Sequence, residues 1–92
     1  MIVRLSGVGQ FRLDDDALGA LNALDNRAVA AVEGGDDVAF QSLLAEMIAL
    51  VRSSGRAVPD DELVTSDVVV PPADTTLAEA AADFSGDGLL PG

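Results

Sequence analysis

Met1-Ile2-Val3-Arg4-Leu5-Ser6-Gly7-Val8-Gly9-Gln10-Phe11-Arg12-Leu13, running into Asp14-Asp15-Asp16, is the stretch that decides the fold. Apolar residues alternate with others on both sides of a Gly-x-Gly turn, which is the pattern of a β-hairpin. A loop of Gly7 to Gly9 sets Ser6 opposite Gln10, Leu5 opposite Phe11 and Arg4 opposite Arg12. Side chains alternate along a strand, so Val3, Leu5, Phe11 and Leu13 share one face, the one expected to be covered. Arg4 and Arg12 fall together on the other face. Like charges directly opposite are unfavourable, so this pair calls for a carboxylate such as Asp14 or Asp25, or for an outside anion.

One of Asp14 to Asp16 caps a first helix, and the others favour the positive end of its dipole. The spacing predicts a helix to about Glu33, stopped by Gly34-Gly35, with Leu18, Leu21, Leu24, Ala28, Val29 and Val32 as its apolar stripe. Asp25 lies near that stripe and is expected at its edge, reaching solvent and pairing with Arg27 or Arg4. Asp36 or Asp37 caps a second helix ending at Ser53 or Ser54 before Gly55. Phe40, Leu43, Leu44, Met47, Leu50 and Val51 recur along it at steps of three and four, the strongest amphipathic signal in the chain. Gln41, Ser42, Ala45, Ala49 and Arg52 fall on its far side. The short Gly-Gly-Asp turn makes the two helices an antiparallel pair.

Beyond Gly55, Val58-Pro59 disfavours helix, and Asp60-Asp61-Glu62 reads as a solvated turn. Asp67-Val68-Val69-Val70, ended by Pro71-Pro72, reads as a third strand at a sheet edge. Asp74 or Thr75 then caps a short Ala-rich helix through Phe84. The expected fold is therefore α+β. An N-terminal hairpin and a short third strand are covered by an antiparallel helix pair and a short C-terminal helix, in one domain over residues 1–92.

Composition narrows the function. The net charge is −11, from 16 acidic residues against five arginines. Nucleic acid would be repelled by such a surface, as would an anionic lipid face, and a basic partner surface is favoured. There is no Cys for a disulfide or thiolate and no His for general-base or metal work. Without Lys, Tyr or Trp as well, an enzyme would rest on Asp, Glu, Ser, Thr and Arg, so no catalysis and no cofactor are expected. The start is not read as a signal peptide, and no apolar run approaches the roughly 20 residues that span a bilayer. The expected location is the cytoplasm.

Three motifs fail on their own chemistry. Gly7-Val8-Gly9 leads into a strand, so no helix N-terminus meets a phosphate as in a dinucleotide site. Asp83-Phe84-Ser85-Gly86-Asp87-Gly88 matches the opening of a calcium loop but lacks the bidentate Glu at its twelfth position. The ending Leu90-Pro91-Gly92 lacks the Gly-Gly tail of a ubiquitin-like sulfur carrier. Asp60, Asp61 and Glu62 are hard oxygen donors, and a solvated turn is favoured over a metal site there.

Across nearly its whole length the chain resembles the PspAA family, small proteins associated with phage shock protein A. The likeness rests on Met1 to Leu13, on Pro59-Asp60-Asp61-Glu62-Leu63-Val64 through Val70-Pro71-Pro72-Ala73-Asp74, and on Gly88-Leu89-Leu90-Pro91-Gly92. The resemblance implies a bacterial, non-enzymatic accessory protein of the phage-shock, envelope-stress response. It also implies a PspA-type partner, a long coiled coil working at the inner face of the membrane. The chain would then be cytoplasmic and peripheral to that membrane through its partner, without inserting itself. No functional residues come with the resemblance. The candidate interaction residues are Arg4, Arg12, Asp60, Asp61 and Glu62. The alternative function is a small anion- or ion-sensing domain using Arg4 and Arg12 or the Asp60–Glu62 cluster. A third reading is self-association through the open sheet edge or the stripe of the second helix.

Overall fold

The computed structural model describes residues 1–59 and 61–83, leaving aside the side chains of 81–83. Strands β1 (Ile2–Leu5) and β2 (Gly9–Arg12) form the hairpin. Helices α1 (Asp15–Glu33) and α2 (Asp37–Ser54) follow, then strands β3 (Arg56–Ala57) and β4 (Val68–Val70) and helix α3 (Leu77–Asp83). The sheet is mixed, in the order β3-β2-β1-β4. β2 is antiparallel to both β1 and β3, whereas β4 runs parallel to β1 at the opposite edge.

The hairpin's faces are as expected, but its register is not. Leu5 pairs with Gly9, so the loop is Ser6-Gly7-Val8, and the Val8 N–H closes the turn onto the Leu5 carbonyl at 2.9 Å. Gly7 supplies the positive φ of 80° that the third position of such a turn requires. Moving the loop back by one residue changes every cross-strand partner by two. Arg4 therefore faces Gln10, and Arg12 faces Ile2. Parity is untouched: Val3, Leu5 and Leu13 are buried and Phe11 packs against the same core.

Both long helices start where a carboxylate caps them. Asp14 accepts from the Ala17 N–H at 2.8 Å, and Asp36 accepts from the Ala39 N–H at 3.1 Å. Between them α1 ends in a Schellman turn. Gly35 takes φ 70°, its N–H bonds to the Val32 carbonyl, and the Asp36 N–H reaches back to Ala31. The residue that closes α1 thus opens α2, and so short a turn holds the helices antiparallel. Phe40, Leu44, Met47 and Val51 of α2 are fully enclosed between Leu21 and Ala28 of α1 and the sheet's inner face. Each large apolar side chain buried this way contributes about 1.5–3 kcal/mol.

Several details differ from the sequence-based expectation. Asp25 is fully buried rather than at an exposed edge. It stands one turn from both Leu21 and Val29, which is the centre of the stripe. Gln41 is half-buried rather than on a far side, because its amide donates to the Thr75 carbonyl at 2.6 Å and ties α2 to the segment before α3. β3 has no counterpart among the expected strands. The cap of α3 is neither Asp74 nor Thr75. The Thr75 hydroxyl closes a turn onto Pro72, while Thr76 and Glu79 form a reciprocal capping box. The calcium-loop and sulfur-carrier readings, and the end of α3 at Phe84, rest on residues 84–92 and lie outside the described residues.

Candidate functional site

The sheet's inner face is taken up by the core, so the chemistry lies on the outer face. Strand alternation places Ile2, Arg4, Gln10 and Arg12 there. The segment between β3 at one edge and β4 at the other crosses this face, and its described residues, 58, 59 and 61–67, form a strap over it. Near β2 the Val58 N–H donates to the Gln10 carbonyl at 2.9 Å. The Gln10 side-chain amide donates to the Val64 carbonyl at 3.1 Å and the Ser66 hydroxyl at 2.7 Å. Beyond β1 the Ile2 N–H donates to the Asp67 carboxylate at 2.9 Å, while the Asp67 N–H returns to the Ile2 carbonyl at 2.8 Å.

The strap decides the fate of the expected charge pair. Arg12 donates from Nη2 to the Glu62 carboxylate, not to Asp14 or Asp25. Asp14 is committed to capping α1, and Asp25 is enclosed in the core. Arg4 lies on the same face, exposed, and has no ion-pair partner among the described residues. Arg4 and Arg12 do not face each other, so that arginine pair is not formed. Two of the candidate residues, Arg12 and Glu62, are brought together. Asp61 is exposed beside Glu62, and Asp60 lies outside the described residues. No group of three metal-ligating side chains is assembled among the described residues, and Glu62 is already engaged by a cation.

Two arginines do face each other, but the second is Arg56. β3 pairs with β2 so that Arg12 stands directly opposite Arg56. With Leu13, Asp14 and Ser54 they line a surface depression of about 270 Å³. A two-residue strand carries no periodic signal, and Arg56 was missed for that reason. A second depression, of about 350 Å³, lies at the other end of the sheet between Ser6, Val69, Pro71, Pro72, Thr75 and Glu79. Hydrogen bonds from the Thr76 backbone N–H and then the Thr76 hydroxyl hold the Glu79 carboxyl below its ordinary range. Glu79 is thereby kept ionised on the rim. No helix among the described residues is long and apolar enough to cross a membrane.

These features define a small acidic α+β domain, a four-stranded mixed sheet backed by a helix pair and crossed outside by a strap that carries its own counter-charge. The chain belongs to the PspAA family, whose description is PspA-Associated protein, and the match runs over residues 1–92. No curated protein and no solved structure matches it.

Proposed function

We propose that this protein is a non-enzymatic accessory partner of a PspA-type coiled-coil protein in the envelope-stress response. The observation that carries the reading is membership of the PspA-associated family over the full 92 residues. Charge supports it: a surface at −11 is suited to steering onto a basic partner and poorly suited to nucleic acid or bare anionic lipid. The residue inventory supports the absence of catalysis, since a chain without His, Cys or Lys lacks the commonest general base and the thiol and amine nucleophiles. The protein then acts in the cytoplasm and comes to the inner membrane face through its partner. Co-purification of the full chain with the PspA-type protein of the same cell, repeated at rising salt, tests this. Association at low salt that weakens as salt rises is expected, and no association at low salt overturns the proposal.

A further inference from the structure

The strongest unexplained chemistry is the arginine pair across β2 and β3. Residues directly opposite on antiparallel strands project to the same side, with Cβ atoms about 4.5–5.5 Å apart, and like charges there destabilise the pair. Arg12 and Arg56 are held in that relation by the backbone register, and both side chains are exposed at one depression. The chain has placed one of its own carboxylates on the pair. Glu62 reaches across from the strap to Arg12, whereas Arg56 has no ion-pair partner among the described residues. Only one of the two guanidinium groups is met by a carboxylate, and that carboxylate shows that the position accepts an anion.

We propose that Arg12 and Arg56 form a seat for a small tetrahedral oxyanion of the phosphate class, and that Glu62 is its internal competitor. A guanidinium presents a planar fork of donors that matches phosphate oxygens two at a time. A doubly charged tetrahedral anion reaches both forks at once, which one carboxylate on Arg12 does not. Displacing Glu62 costs little, because an ion pair this exposed contributes only about 0–1 kcal/mol. Ser54 offers a hydroxyl at the same depression. The nearby Asp14 carboxylate is engaged with the Ala17 N–H. The net charge of −11 repels extended anionic surfaces such as a membrane or a nucleic acid, so the seat acts through short-range contact with a small ion. The proposal does not depend on the partner assigned above.

The test is a titration of the full chain with inorganic phosphate at constant ionic strength, followed by NMR at the backbone amides and the arginine Nε–H groups. Matched titrations use chloride and acetate. Saturable shifts centred on Arg12, Ser54, Arg56 and the displaced Glu62 are expected with phosphate, weaker ones with acetate, and none that saturate with chloride. Arg56→Gln is expected to weaken phosphate binding about tenfold, as for loss of a charged hydrogen-bonding partner. Arg56→Lys, which keeps the charge but loses the fork, is expected to remain weaker than the parent. Glu62→Gln is expected to tighten binding about twofold to fivefold by removing the competitor. These positions are exposed, and the same spectra report that each variant is folded. Shifts that fail to saturate, acetate binding as tight as phosphate, Arg56→Gln binding like the parent, or Glu62→Gln binding no tighter each overturn the proposal.

Discussion

Gly55 gives the sharpest check on the packing. It follows α2 and opens β3, with φ −80° and ψ 154°, a conformation open to any residue. Its requirement for glycine is therefore purely one of space. A Cβ at this position would clash with the Val51 carbonyl oxygen and meet Phe11 Cβ at 2.9 Å and Leu13 Cδ2 at 3.2 Å. The first obstacle is main chain and the second is the root of a side chain, so neither can rotate away. Overpacking of this kind costs about 1–3 kcal/mol, and the rigidity of the obstacles places Gly55→Ala near the upper end. Alanine regains about 0.4–1 kcal/mol by restricting the unfolded chain, which leaves a net loss of about 2 kcal/mol. For a domain of this size the melting temperature should fall by about 8–16 °C. Gly19→Ala is the matched control. Gly19 is exposed within α1 and nothing lies within 4 Å of its added Cβ. Helix propensity alone should raise stability there by about 0.8–1 kcal/mol. Thermal unfolding by circular dichroism, paired with urea midpoints, measures both. A Gly55→Ala variant as stable as the parent, alongside a stabilised Gly19→Ala, would refute the close approach of β3 to the hairpin and α2.

Leu44→Ala removes a fully buried side chain between α1 and the sheet and should cost about 2–5 kcal/mol by urea denaturation. Asp14→Ala orphans the Ala17 N–H and should cost about 1 kcal/mol in the same assay, with a smaller loss from Asp15→Ala, which does not cap but meets the positive end of the helix dipole. Glu79 has its folded pKa below its ordinary value of 4.5, so the unfolded state binds the proton more readily. Its contribution to α3 is present above that ordinary value and is lost as pH falls through the lower folded one. Protection of the α3 amides, corrected for the intrinsic pH dependence of exchange, should fall on acidification. Thr76→Ala, which removes the hydroxyl but keeps the backbone N–H, should weaken that dependence, and Glu79→Gln should abolish it.

The fold was legible where periodicity and caps coincide. Both long helices begin and end where Asp14, Gly34-Gly35, Asp36 and Gly55 place them, and the hairpin's buried face follows from alternation alone. The register was not legible from pattern, because Gly7 and Gly9 each suit a tight turn, and moving the loop by one residue shifts the pairing by two, which leaves the faces unchanged. Asp25 was misjudged because its charge outweighed its position, although a residue four from both Leu21 and Val29 lies mid-stripe. Thr76-Leu77-Ala78-Glu79 spells a capping box, but Asp74 and Thr75 sit just ahead as competing caps. The site was half legible. Arg12 and Glu62 were both candidates, yet their pairing depends on a strap whose path over the sheet leaves no local trace. Arg56 acquires its partner from a tertiary pairing two residues long.

The reciprocal bonds between Ile2 and Asp67 join residues 65 apart, whereas the hairpin and the helix pair close over short stretches. Closing so long a loop carries an entropic penalty that short-range contacts avoid. Pairing of β4 with β1 should thus be a late event in folding, after the hairpin and helices have formed. Until it occurs, the edge of β1 presents unpaired amides and carbonyls bordered by Val3 and Leu5. That is a template on which another chain can add a strand. The parallel edge strand therefore covers the longer edge of β1 with a three-residue strand ended by Pro71 and Pro72, a poorer template, and conditions that loosen Val68–Val70 should favour aggregation before they unfold the helices.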